Sequence, residues 1–330
     1  MSHLFIKQTF IKSNFNKSII SVSASEVNFY GSCYDDEMIK RYIASVYDPQ
    51  AKTAGIESIK YKLVRSESLC YIVSSDIILQ NDNPYSLTAL SAMGDYSVRL
   101  RYSSKEEITE DEENVFLEMV KSISMEDKEH TQYDDSEWFS VSDIDSYAVE
   151  CGKLKIRMPA KYLYYDKTNK NDLCLLARGY LISGLDQLLS QAGNGSDIYF
   201  STYDEGNRIL VKTQYVDDIA NFDVLNYWDY QRQFAEMFRS SGDSIGLSLL
   251  DTGSLISEGT DNPDAILSTM YHIYWVKVKL KNNVYDIEQL MCTTVVRNIQ
   301  YTITLEKKTI SETDEMELDL IISGILKDMK

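Results

Sequence analysis

Near the C-terminus the chain reads Gln289-Leu-Met-Cys-Thr-Thr-Val-Val296, Arg297-Asn-Ile-Gln300, Tyr301-Thr-Ile-Thr-Leu305 and, after a polar gap, Glu312-Thr-Asp-Glu-Met-Glu-Leu-Asp-Leu-Ile-Ile-Ser-Gly-Ile325. The same order stands earlier as Ser86-Leu-Thr-Ala-Leu-Ser-Ala-Met93, Gly94-Asp95, Tyr96-Ser-Val-Arg-Leu100 and Glu110-Asp-Glu-Glu-Asn-Val-Phe-Leu-Glu-Met-Val-Lys-Ser-Ile123. Each copy has an alternating strand, a short polar turn, a second alternating strand opened by Tyr96 or Tyr301, and an acidic lead into an amphipathic helix. Period-two alternation is the mark of a half-buried strand. Val115, Met119 and Ile123 recur at helical spacing, as do Leu318, Ile322 and Leu326. Thr109 and Thr313, each followed by acids, suit helix N-termini, where carboxylates meet the positive end of the dipole. A recurrence of this kind decides the fold before any single motif does.

The similarity continues upstream. Tyr271-His-Ile-Tyr-Trp-Val-Lys-Val-Lys-Leu280 is a strong strand, and Ser68-Leu-Cys-Tyr-Ile-Val-Ser74 holds the equivalent place. Asp197–Thr202 and Arg208–Gln214 read as a hairpin turning at Gly206, followed by a helix over Asp223–Arg239 with Leu225, Trp228, Phe234 and Phe238 among its apolar positions. The matching hairpin is Leu4–Ser23, around Ser13-Asn-Phe-Asn16, and the matching helix is Asp35–Tyr47. Copy two carries about 45 further residues before its hairpin: a strand-like Lys153–Pro159 and a helix-like Leu181–Ala192. Copy one has no room for these, since Leu4 already lies in its hairpin. Either it lacks them, or the native chain begins upstream of Met1, which would leave room for an export signal.

A chain of 330 residues suits two hydrophobic cores better than one. Between the copies, residues 126–150 hold nine acids against Lys128, so the boundary is drawn there: a first domain over 1–125, an acidic linker over 126–149 and a second domain over 150–330. The net charge of −18 disfavours nucleic acid, whose affinity rests on Lys and Arg displacing counterions, and anionic membrane surfaces. It leaves another protein, with a basic surface, as the expected partner. Neither a membrane-spanning apolar run nor a signal peptide is visible, so as written the chain reads as cytoplasmic. The five cysteines (Cys33, Cys70, Cys151, Cys174, Cys292) are scattered, with no CxxC pair to hold zinc.

Copy two, with Met158-Pro159 after a short strand, the Asp197–Gln214 hairpin, the Trp275 strand, the Tyr301 strand and the closing Ile321-Ile-Ser-Gly-Ile325 helix, resembles the PsbP-like superfamily. Residues 150–327 carry the resemblance most fully, with 4–124 as a second copy lacking its N-terminal elements. The resemblance implies an α+β fold: two tandem three-layer α/β/α domains, each with a central antiparallel sheet. It also implies a binding or assembly role of bacterial type and no enzyme. It brings no functional residues with it.

The search for chemistry returns little. His3, His130 and His272 stand at no ligand or catalytic spacing, and neither a metal nor a cofactor is expected. Leu249-Leu-Asp251-Thr-Gly-Ser254 looks like the loop of an aspartic protease, and a hydrolase built on Asp251 is the alternative reading. That chemistry needs a second carboxylate, and Asp-Thr-Gly is ordinary turn composition. Gly193–Asp197 precedes a strand and not a helix, which leaves it a loop and not a phosphate cradle. Asp166–Asp172 lacks the glycine and twelfth-position acid of a calcium loop. One segment reads as a recognition element: Asp134, Asp135, Glu137, Trp138 and Phe139. There, paired aromatics among acids would anchor on a partner's groove or dock on the chain's own domains. The expected function is a non-enzymatic tandem binding or assembly module.

Overall fold

The computed structural model describes residues 4–6, 18–26, 36–66, 69–93, 96–125, 132–171, 173–174, 189, 197–203, 206–218, 224–241, 245–260 and 270–327. They fall into two compact units, Met1–Ile144 with Asn169–Gln191 and Asp145–Thr168 with Ala192–Lys330. These bounds differ from those drawn on charge. Residues 132–144 of the acidic stretch belong to the first unit, and 169–191 does too.

The first unit runs β1 (Leu4–Ile6), β2 (Ser18–Glu26), α1 (Asp36–Tyr42), a π turn over Ile43–Tyr47, α2 (Asp48–Thr53), β3 (Ile56–Arg65), β4 (Cys70–Ile78), β5 (Tyr85–Met93), β6 (Tyr96–Ser104), α3 (Glu110–Lys121), β7 (Ile123–Met125) and β8 (Asp134–Asp135). Its sheet is antiparallel in the order β2-β6-β5-β4-β3-β8. Alternation along β4 sends Tyr71 and Val73 into a core with Phe116, Leu117 and Val120 of α3. The opposite face lies on the side of the α1–α2 segment, where Tyr61 of β3 donates to Asp48 at 2.7 Å.

The second unit runs β9 (Tyr147–Cys151), β10 (Leu154–Met158), β11 (Leu163–Tyr165), β12 (Ile198–Ser201), β13 (Arg208–Tyr215), α4 (Val224–Ser241), β14 (Leu247–Thr260), β15 (Met270–Asn282), β16 (Ile287–Val296), β17 (Ile299–Lys307), α5 (Glu312–Ser323) and β18 (Leu326–Lys327). The sheet order is β11-β12-β13-β17-β16-β15-β14, again antiparallel. Trp275, Leu290, Cys292, Tyr301 and Ile303 pack with Leu318, Ile321 and Ile322 of α5 on one face, and Val276, Val278 and Leu280 pack with Tyr227, Phe234 and Phe238 of α4 on the other. Each unit is therefore a three-layer α+β sandwich around an antiparallel sheet.

The two units share more than layers. Five strands stand in one order, β2-β6-β5-β4-β3 against β13-β17-β16-β15-β14. The edge strand of each set carries a bulge, at Ile59 between Ser58 and Lys60 and at Leu250 between Leu249 and Asp251. Registering on the bulges pairs Asp76 with Leu280, and the ladder then pairs Leu90 with Thr293 and Arg99 with Thr302. In that register Ser91 donates its hydroxyl to the Cys70 carbonyl, and Thr294 does the same to Tyr274, both at 2.8 Å. Both closing helices begin with a capping box, Thr109 with Glu112 and Ser311 with Asp314.

Several sequence expectations are corrected at this level. Leu4–Ser23 does not form a hairpin among the described residues: β1 pairs with β7, and β2 pairs with β6. β1 and β10 thus stand alike in their units, each pairing with the short strand that follows the closing helix. The second helix is capped by Ser311 and not by Thr313. Its preceding strand opens at Ile299, which places Tyr301 two residues inside, buried, with its hydroxyl accepting from the Lys153 amide at 2.7 Å. Gly152, at φ 60°, leaves room for that hydroxyl; a Cβ there would stand 2.7 Å from it. The buried stripe of α3 is Phe116, Leu117 and Val120, and Val115 is exposed. Tyr147–Cys151, assigned in part to the linker, is a strand of alternating burial. His3, His130, most of Leu181–Ala192 and residues 193–195 lie outside the described residues.

Asp314 does two jobs, closing the cap on Ser311 and pairing with Lys307 at 2.9 Å. Burial raises its carboxyl, but hydrogen bonds from Ser311 and Lys307 and the charge of Lys307 outweigh this and bring it from 3.8 down to about 2. Because the pKa falls on folding, the stabilisation is complete above 3.8 and disappears as the pH drops through about 2. Asp314→Asn is expected to be about 2 kcal/mol less stable than the parent at neutral pH. Urea unfolding of the two proteins on a descending pH series should show this gap closing in acid.

Candidate functional site

In the first unit, the sheet face on the side of α2 is hollow and polar. A small open pocket of about 60 Å3 is lined by Tyr47, Ala51, Ile56, Ser58, Ser74, Asp76, Thr88, Arg99 and Arg101. The sheet register explains the grouping, because directly paired residues share a face. Ser58 pairs with Asp76, Ser74 with Thr88, and Thr88 with Arg101, so neighbouring rows of β3, β4, β5 and β6 all present polar groups to one side.

Asp76 sits at the centre and is only 5 % exposed. Its carboxylate oxygens accept from the Ser58 hydroxyl at 2.9 Å and the Ser74 hydroxyl at 3.1 Å. Burial raises its pKa, and the hydroxyls of Ser58, Ser74 and Thr88 and the charge of Arg101 recover only part of that shift. A carboxyl raised on folding lowers stability when ionised, so at neutral pH this group costs the fold free energy. Burial and the charge of Asp76 push the Tyr47 phenol up to about 12, against the opposing influence of Arg99 and Ser74, so it stays protonated. Arg101 reaches Ser86 through one terminal nitrogen at 3.4 Å, while its buried Nε has no hydrogen-bond partner. Arg99 is exposed at the rim.

At the same places the second unit is apolar but for one threonine. In the common register Ser58 corresponds to Leu249, Ser74 to Val278, Asp76 to Leu280, Thr88 to Met291 and Arg101 to Thr304. Leu249, Val278, Leu280 and Met291 pack in one cluster with Tyr227, Phe234 and Phe238. One fold position is filled in one unit and holds an open, charged pocket in the other.

The residues singled out in the sequence lie elsewhere. Asp134 and Asp135 pair with Arg65 and Val64, and Phe139 exchanges backbone hydrogen bonds with Tyr61, so the segment extends the sheet along the outer edge of β3. Trp138 packs on the α3 core with the ammonium groups of Lys60 and Lys62 over its ring, at 4.5 and 5.6 Å from the ring centre. Asp135 bridges to Lys121, while Asp134 and Glu137 are exposed. Covering an edge strand in this way blocks edge-to-edge pairing. Asp251 is not in a turn: it follows the bulge inside β14, opposite Lys279, exposed, with its carboxylate accepting from the Thr252 amide at 2.8 Å. Cys151 and Cys292 are buried, which raises their thiols to about 11 and about 12. No described helix is long and apolar enough to cross a membrane.

The pocket residues went unnoticed in the sequence because each fits a bland pattern. Arg99 and Arg101 alternate with Val98 and Leu100, which is how an ordinary solvent face reads. Comparing the copies position by position would have found them, had the register been known.

No protein-family model matches the chain, and no curated protein does. Among solved structures it is similar to cyanobacterial PsbP (CyanoP) from Synechocystis sp. PCC 6803, with 12% sequence identity and a TM-score of 0.33, covering 55% of this chain and 91% of that one. At that distance the likeness carries no functional argument.

Proposed function

We propose that the chain is a non-enzymatic binding module of two units repeated in tandem, in which the first unit binds a small polar ligand on the sheet face that the second unit fills. The observation that carries this reading is the contrast at matched positions. A buried carboxylate, a half-buried guanidinium with an unpartnered Nε and three hydroxyls stand where the same fold accommodates Leu280, Thr304, Leu249, Val278 and Met291. Buried polar groups cost stability unless fully paired, and an apolar solution at this position exists within the same chain. Selection that tolerates the costlier set points to use of the pocket.

The test is a thermal-shift screen of small polar metabolites against the parent and against a variant carrying the second unit's residues, Ser74→Val, Asp76→Leu, Thr88→Met and Arg101→Thr. A ligand of the pocket raises the melting temperature of the parent and leaves the variant unmoved, since binding to the native state alone stabilises by mass action. Equal shifts in both proteins, or none in either, count against the reading.

A further inference from the structure

This inference rests on the pocket reading and concerns the chemistry of what the pocket takes. We infer that the pocket of the first unit binds a small organic anion, with a carboxylate or phosphate group held between Arg99 and Arg101.

The two arginines stand two residues apart on β6, so their side chains leave the same face of the sheet about 6.6 Å apart along the strand. That spacing lets two planar guanidinium groups converge on one oxyanion, the geometry in which arginine exceeds lysine. The chain has 51 acidic residues against 33 basic ones, so a carboxylate partner for any arginine is easy to supply. Arg65 takes Asp36 and Arg208 takes Glu306, yet neither Arg99 nor Arg101 forms a salt bridge among the described residues. The buried Nε of Arg101 is a charged donor without an acceptor, in the wall of an open pocket. A buried donor left unmade is costly, and an incoming acceptor recovers that cost.

Asp76 does not fill this role. Its oxygens are occupied by Ser58 and Ser74, and it acts on Arg101 through its charge alone. It does set where the anion lies, on the arginine side and away from the carboxylate. The hydroxyls of Ser74 and Thr88 are turned to Asp76 as well, which leaves the arginines as the donors for the anion. Ala51 and Ile56 line the pocket as well, giving the ligand's carbon skeleton an apolar wall. The arginines and the carboxylate together give the site a net positive charge inside a chain of net charge −18, which focuses anions there against the field of the whole molecule.

The experiment follows the Nε–H signals of the arginines and the backbone amides of Ser74, Asp76 and Thr88 in the isotope-labelled full chain by NMR. The probes are inorganic phosphate and glycolate, with chloride, tetramethylammonium and glycerol as controls. The expected result is a saturable shift of the Arg101 Nε–H signal with phosphate or glycolate, not reproduced by chloride. Which of the two anions binds more tightly tells a phosphate ligand from a carboxylate one. Arg99→Gln, an exposed position whose exchange leaves the fold intact, should weaken that binding by about ten-fold or more. If the anions leave the arginine signals still, or bind Arg99→Gln as well as the parent, the inference is overturned. Should tetramethylammonium or glycerol shift Ser74, Asp76 and Thr88 where the anions do not, the pocket still binds and only the anion class is wrong. If no probe moves any of these signals, the binding reading falls with it.

Discussion

Trp275→Ala is expected to cost the second unit about 3–5 kcal/mol, because the residue is wholly buried and its removal leaves a cavity between the sheet and α5. Trp275 belongs to the core formed with Leu290, Cys292 and Tyr301 on the sheet and Leu318, Ile321 and Ile322 on α5. A loss of that size is comparable to much of the stability of an ordinary domain, so the variant should populate unfolded forms at moderate temperature. Hydrogen exchange resolves the effect by location. Amides of β15, β16 and β17 should lose protection together, since one ladder joins them. Tyr71 occupies the corresponding position in the first unit, also fully buried, and Tyr71→Ala should do there what Trp275→Ala does in the second.

The second large effect is on the pocket, where Asp76→Leu alone is expected to destabilise the first unit by about 2–4 kcal/mol. The single change introduces the residue that the second unit uses, but into a polar surrounding. The hydroxyls of Ser58 and Ser74 lose their acceptor, and Arg101 loses the negative charge of Asp76. Leaving buried donors unmade costs about 1–3 kcal/mol each. Urea unfolding of the single variant measures this directly. A stability equal to or above that of the parent would mean that Asp76 is not the hub of the polar set. The effects of the pocket residues should also be strongly non-additive, since residues within one hydrogen-bonded network couple.

How much of this was legible in the sequence depends on the element. The strands around Trp275 and Tyr301 and the helix after Glu312 were readable, because Cys292, Ile303 and Leu318 recur with periods that burial imposes. The helix of Asp223–Arg239 was found to within two residues, as Val224–Ser241. Pairing was harder. Leu4-Phe-Ile and Leu154-Lys-Ile are both short apolar runs, and nothing local says that each pairs with the strand after a closing helix. The acids around Asp134 set the linker there, while of the two readings of Trp138 and Phe139 the structure takes docking on the chain's own first unit, where the edge of β3 offers backbone groups to pair with. Asp251 drew notice through its neighbours Thr252 and Gly253, whereas a bulge, invisible to composition, settles their conformation. The pocket was least visible of all. Ser58, Ser74, Asp76 and Arg101 come from three strands, and only the register brings them together.

A filled face in one unit and a hollow one in the other imply that the polar set is retained at the expense of stability. The urea midpoint of the fourfold exchange Ser74→Val, Asp76→Leu, Thr88→Met and Arg101→Thr puts that to the test. With the Asp76 carboxylate, the Arg101 guanidinium and the Ser74 and Thr88 hydroxyls removed together, the first unit should gain about 1–4 kcal/mol over the parent, even though Asp76→Leu alone loses stability. If the fourfold variant instead unfolds at lower urea than the parent, the polar groups are structural supports and the pocket is not kept for a ligand.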